Sequence, residues 1–162
     1  MSFFKKSDSK GEQRPGIRIS DFLSEKTIAF FPSAPSKRQV FGHLIGLLDL
    51  PDPNAALNAI LSREETGLTV IAPGLAVPHA RVPGLTRLKA AIGICPEGVI
   101  DRRTDLGPVK LYVLFLGNPD DMTQHLAFLA RVSSLFETEA FRDQLINAGS
   151  PAAALKILNN AE

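Results

Sequence analysis

Residues 74–81 read GLAVPHAR, and within them His79 is the side chain that can take a proton, offer a lone pair or bind a metal near neutral pH. Proline fixes its own φ and drives the preceding residue into extended geometry, so Val77 and Pro78 hold the backbone entering His79 in a narrow range. An imidazole presented from so stiff a base can act as a nucleophile, a general base or a metal ligand. The other residues of comparable chemistry are His43, His125 and a single cysteine, Cys95. They lie far apart and form neither H-E-x-x-H nor C-x-x-C, which argues against a metal centre. There is no G-x-S-x-G elbow and no G-x-x-x-x-G-K-[ST] loop. A phosphate handled by His79 must therefore come from somewhere other than a nucleotide bound to this chain. Arg81 and Arg63 carry planar guanidinium groups that grip phosphate oxygens in pairs, although on composition alone solvated surface charge is the favoured reading of both.

These groups need a scaffold, and the chain has the means to build one. Its 162 residues are 44% apolar and 22% charged, as in a single soluble globular domain. Eighteen basic against 17 acidic residues leave a formal charge of +1, without the positive field of a nucleic-acid binder. No apolar run is long enough to insert in a membrane. One cysteine excludes an internal disulfide framework, and MSFFKKSDSK has no apolar core like that of a signal peptide, so the expected compartment is the cytoplasm.

Residues 1–16 are polar and rich in Gly, Ser and charge, and are expected to form a mobile N-terminal tail before a domain over residues 17–162. TIAFF at 27–31 reads as a strand. A helix follows, with Ser36 and Gln39 as a capping box, Val40, Leu44, Leu47 and Leu48 as its apolar stripe, and Pro51 as its stop. A second helix starts at Asp52 and Pro53, buries Leu57, Ile60 and Leu61, and ends near Gly67, with Arg63 in its last turn. Short extended pieces, TVIA and LAV, lead to the Pro78-His79 corner. KAAIGIC and VKLYVLFLG are strands, the latter apolar on both faces as a covered central strand would be. Residues 120–136 read as a largely buried helix with His125 near its start. Two more helices close the chain, with Thr138 and Ser150 as caps, Gly149 ending one and Pro151 opening the next. The alternation predicts an α/β fold, a three-layer α/β/α sandwich around a central mixed β-sheet. His43 reads as a partly buried structural histidine, Cys95 as core, and DRRTD at 101–105 as a charged loop.

From ISDFL onward the chain resembles the enzyme IIA proteins of the bacterial phosphotransferase system, in the fructose-mannitol class that includes the nitrogen-regulatory enzyme IIA. The resemblance rests on ILSREETG, GLAVPHAR and QHLAFLARVSSLF, in that order and at similar spacing. Residues 74–79 satisfy a family motif that looks like G-[IL]-A-[IV]-P-H. The resemblance implies that His79 is the phosphoryl acceptor and that His125 orients the imidazole or neutralises the phosphorylated form. It also implies that Arg63, of an R-E pair with Glu64, holds phosphate oxygens or the site loop, with Arg81, Thr69 and Gly74 completing the phosphate-binding set. No cofactor is implied. The implied donor is a phosphohistidine protein resembling the phosphocarrier HPr, and the implied target is a regulatory protein or a separate IIB protein. The sequence departs from the family in GLTVIAPG, where Leu68, Val70, Ala72 and Pro73 replace small or polar residues. The acidic residue that the mannitol branch carries nearby is missing, which favours a regulatory branch over sugar uptake. A IIA-like domain that binds a regulatory partner without being phosphorylated is the alternative.

Overall fold

The run VKLYVLFLG has apolar side chains on both faces, so it is stable only where both faces are covered. It forms the strand Val109–Gly117, buried at every residue but Lys110. The computed structural model describes residues 16–162, and the tail expected over residues 1–16 lies outside the described residues apart from Gly16. In chain order the elements are β1 (Ile28–Phe30), α1 (Lys37–Gly46), α2 (Pro53–Thr66), β2 (Val70–Ala72), β3 (Leu75–Ala76) and β4 (His79–Arg81). They continue with β5 (Lys89–Val99), β6 (Val109–Gly117), α3 (Met122–Leu135), α4 (Glu139–Ile146) and α5 (Pro151–Ala161). Two short 3-10 turns, Ile19–Phe22 and Glu25–Thr27, precede β1.

The sheet is mixed and runs β1-β5-β6-β3-β2, with β4 also paired to β6. β5 and β6 are antiparallel, whereas β1 is parallel to β5 and both β3 and β4 are parallel to β6. Leu75 pairs with Leu111 and His79 with Phe115, so β3 and β4 keep one register along β6. They are a single strand interrupted at Val77-Pro78, because proline has no N–H to give to the ladder.

Side chains alternate across the sheet and feed two cores. One face packs Ala76, Ala91, Cys95, Tyr112 and Leu114 against Val40, Phe41, Leu44 and Ile60 of α1 and α2. The other packs Leu75, Val77, Ile92, Val113 and Phe115 against Phe128, Val132, Leu145 and Leu158 of α3 to α5. The fold is the three-layer α/β/α sandwich that the sequence predicts. Cys95 is core, and burial pushes its thiol up to about 12.

Local signals fix the helix starts. Ser36 and Gln39 close a reciprocal capping box, Asp52 caps α2 ahead of Pro53, and Thr138 and Ser150 cap α4 and α5. Helix ends depart from expectation. α1 stops at Gly46, ahead of Pro51, where Leu48 turns into the core and Asp49 takes a left-handed φ of 52°. α4 is capped by Asn147 rather than Gly149, which lies in the following loop at φ 82°.

Three other expectations are corrected. α3 is not largely buried: it lies on one sheet face, burying His125, Phe128 and Val132 and leaving Leu126 56% exposed. His43 is exposed and meets Phe31 edge-on, because Val40, Phe41, Leu44, Ile45 and Leu48 form the buried stripe of α1. The 101–105 segment is more than a charged loop. Lys37 Nζ lies 2.6 Å from Glu64 and 2.8 Å from Asp101, and Arg103 donates to the Glu64 carbonyl at 2.9 Å. These contacts pin that segment to the end of α2.

Candidate active site

His79 opens β4, and its neighbours on both sides are tied to β6. Phe115 N donates to the Pro78 carbonyl at 3.1 Å and Val82 N donates to the Gly117 carbonyl at 2.8 Å. The imidazole lies flat on Phe115, with ring centroids 5.2 Å apart and planes inclined by 11°. Nδ1 is 2.7 Å from the Val77 carbonyl. A carbonyl only accepts, so Nδ1 carries the proton of the neutral ring and the lone pair sits on Nε2. Burial holds His79 below the ordinary 6.5, the Val77 contact works against this, and Arg63 reinforces it. The ring is accordingly neutral at physiological pH.

His125 enters from the first turn of α3, whose N-cap Asp121 accepts from Gln124 N at 3.1 Å. It meets the His79 ring edge-on at 5.4 Å and tilts against Phe115 at 4.9 Å. Its Nδ1 is buried and has no hydrogen-bond partner among the described residues. An orphaned buried N–H is less tolerable than an idle lone pair, which assigns the proton of neutral His125 to Nε2, on the opposite side of the ring. Burial lowers its pKa, and the nearby His79 and Arg81 add to the effect. One ring thus offers an acceptor nitrogen and the other a donor.

Arg63 comes from the last turn of α2, where its Nη1 donates to the Gly67 carbonyl at 3.1 Å and to Thr66 Oγ1 at 3.3 Å. Arg63, His79, Arg81 and His125, with Ala59 and Ala80, line one cavity of about 210 Å³. Helices from both layers contribute to it, because among the described residues β4 pairs with β6 alone. The cavity has the size, the cationic side chains and the free ring nitrogen to receive a phosphoryl group.

Four of the six expected site residues come together here. The other two do not line this cavity. Thr69 is buried and its hydroxyl donates to Glu64 Oε1, while its carbonyl receives Val77 N at 2.8 Å. Gly74, at φ 79°, turns the β2–β3 hairpin and lines a separate cavity with Pro73, Pro108 and Lys110. Sequence reading missed Phe115 as the platform under both rings. It also missed Lys37 and Arg103 as partners of the buried Glu64, and Asp101 as the second carboxylate that pairs with both. A strand period of two shows that Phe115 faces a core, but only the register with β4 places it beneath His79.

Comparison with known proteins identifies the family of the chain. Residues 21–161 match the family described as "Phosphoenolpyruvate-dependent sugar phosphotransferase system, EIIA 2", and the chain belongs to it. It is 31% identical over 147 residues to the fructose-specific EIIABC component of the phosphotransferase system of Bacillus subtilis. That match takes in 88% of this chain and 23% of the relative, so the chain spans under a quarter of that protein. The nitrogen regulatory protein of Bradyrhizobium diazoefficiens is 25% identical over 143 residues, 86% of this chain and 94% of that one. The crystal structure of the nitrogen regulatory protein IIA-Ntr from Neisseria meningitidis shares the fold, with a TM-score of 0.77 at 24% identity over 86% of this chain and 98% of that one. Among the described residues, no helix is long and apolar enough to cross a membrane.

Proposed function

We propose that this chain is a phosphoryl carrier that accepts phosphate from a phosphohistidine donor resembling HPr onto Nε2 of His79. The observation that carries this reading is the 2.7 Å contact between His79 Nδ1 and the Val77 carbonyl, which leaves the Nε2 lone pair free beside three basic side chains. Nε2 attacks phosphorus as the donor's P–N bond breaks, and the donor imidazole keeps the electron pair of that bond. No proton has to leave His79, since Nδ1–H stays on the Val77 carbonyl and stabilises the positive charge that phosphorylation brings to the ring. Arg63 and Arg81 meet charge on the transferred oxygens, and His125 donates from Nε2. Positioning and electrostatics of this kind supply most of what phosphoryl transfer requires.

In our reading the carrier works in the cytoplasm and in a regulatory branch, passing its state to a target protein. The near-complete overlap with the Bradyrhizobium nitrogen regulatory protein supports this. Transfer onward to a separate IIB protein is the second reading, favoured by the higher identity to the fructose-specific component. The test is incubation with a phosphorylated HPr-type donor, followed by location of acid-labile phosphate. Labelling of the wild type but not of His79→Ala is the expected result. Equal labelling of the two overturns the assignment. Rapid loss of the label to a fructose-type IIB protein would decide for the second reading.

A further inference from the structure

We infer that Gly117, the last residue of β6, is a positioning residue whose missing side chain is the seat of His125. This inference rests on the carrier reading above. A Cβ on Gly117 would lie 2.5 Å from His125 Nδ1, 3.3 Å from its Cγ and 3.5 Å from its Cβ. Real Cβ atoms do not approach a ring nitrogen so closely, so any other residue at 117 must move the imidazole. Gly117 is not among the residues at positive φ, so glycine is required there for space and not for backbone conformation. The backbone cannot give way easily either, because the Gly117 carbonyl receives Val82 N at 2.8 Å and Gly117 pairs with Arg81 in the sheet.

The tight approach also explains the orphaned Nδ1. Pressed on Gly117, that nitrogen is buried and meets no acceptor among the described residues, and the proton is left to the cavity side. The ring is then held between Gly117, Phe115 and His79, three consecutive contacts along β4 and β6. The charged and titratable groups that face it are His79 and Arg81 of β4, with Arg63 of α2 across the cavity; Phe115 and Gly117 of β6 bring no charge. Adding one methyl at 117 therefore alters the position and the solvation of His125 without altering any charged group.

The experiment is a double-mutant cycle of Gly117→Ala and His125→Ala, read in two ways. Single-turnover transfer from a phosphorylated HPr-type donor gives the rate, and imidazole titration by NMR on unphosphorylated protein gives the ring's environment. In Gly117→Ala the His125 midpoint should rise toward 6.5 as the ring leaves its seat, and transfer should fall to the rate of His125→Ala. The double variant should be no slower than His125→Ala, since the seat has nothing left to hold. An unshifted His125 titration in Gly117→Ala overturns the inference, and so does a double variant clearly slower than His125→Ala. If Gly117→Ala does not fold, the double variant decides: a folded double variant supports the clash, and an unfolded one overturns it. A wild type that takes no phosphate would sink the carrier reading alone, because the titration tests the seat without any phosphate.

Discussion

His79 and Phe115 occupy paired positions on adjacent parallel strands, and their rings lie face to face at 5.2 Å. The phenyl ring supports one face of the His79 imidazole and, with the Val77 contact, sets the direction of its Nε2 lone pair. Phe115→Leu retains most of the buried volume but loses the flat support. It should cost about 1 kcal/mol of stability and slow transfer several-fold. Single-turnover rates and thermal unfolding measured together check this, and an unchanged rate would show that the Val77 contact orients the ring unaided.

For the proposed transfer through His79, its lowered pKa predicts a pH dependence of the rate. Protonation of Nε2 removes the attacking lone pair, so the rate should rise with pH through a midpoint below 6.5 and be flat near neutrality. A plateau that begins only well above 6.5 would contradict the structure.

Stability follows the same two histidines with a sign fixed by linkage. His79 and His125 both bind protons less readily folded than unfolded, so as pH falls below 6.5 the unfolded chain gains protons first. Their contribution to stability should decline from that point down to their folded-state pKa values and then level off. Urea unfolding at pH 7.5 and 5.5 measures the decline, which His125→Gln should reduce. A larger decline in the variant would reverse the assigned direction.

Glu162 binds the start of the described chain to its end. Its carboxylate accepts from Ile19 N at 2.8 Å, Ser20 N at 3.0 Å and Ser20 Oγ at 2.6 Å, and it pairs with Arg131 at 3.2 Å. Burial pushes its pKa up, but these donors outweigh burial and hold it below 4.5. Glu162→Ala leaves two backbone N–H groups without an acceptor and should cost about 3 kcal/mol, or roughly 6–12 °C in Tm. The transfer rate at room temperature should not change, since none of these groups lines the His79 cavity. The stabilisation should be present at neutral pH and disappear as pH falls through the lowered pKa. A Tm within experimental error of wild type would refute the clamp.

Much of this site could be read in the sequence because its cues are local. Pro78 beside His79 and Asp52 with Pro53 ahead of α2 each depend on a few neighbouring residues, and the apolar run over 120–136 marks the helix that carries His125, so Arg63, His79 and His125 fall at the ends of the right elements. What could not be read depends on register and on space. Glu64 adjoins Arg63 but turns away into a cluster with Lys37, Asp101 and Arg103, drawn from segments far apart in the chain. GLTVIAPG looked like an altered anion loop; in the fold Val70 packs against the α1 and α2 core, Ala72 pairs with Leu75 and Pro73 sits at the hairpin turn. Its unusual residues build the β2–β3 hairpin, and Leu68, Val70 and Pro73 do not line the His79 cavity.

The unbroken register from β3 to β4 ties the chemistry to a matter of parity. Leu75, Val77 and His79 point to the α3 layer, whereas Ala76 and Ala80 point to the α1 and α2 layer. One residue inserted between Ala76 and His79, with β6 still pairing beyond it, would turn the imidazole into the opposite layer, away from Phe115 and His125. Two inserted residues would restore the face but shift the ring along the strand by about 6–7 Å, past its partners. The side chains between Ala76 and His79 can be exchanged for others that fit, but their number cannot, because the count of that two-residue step decides which layer the His79 ring enters.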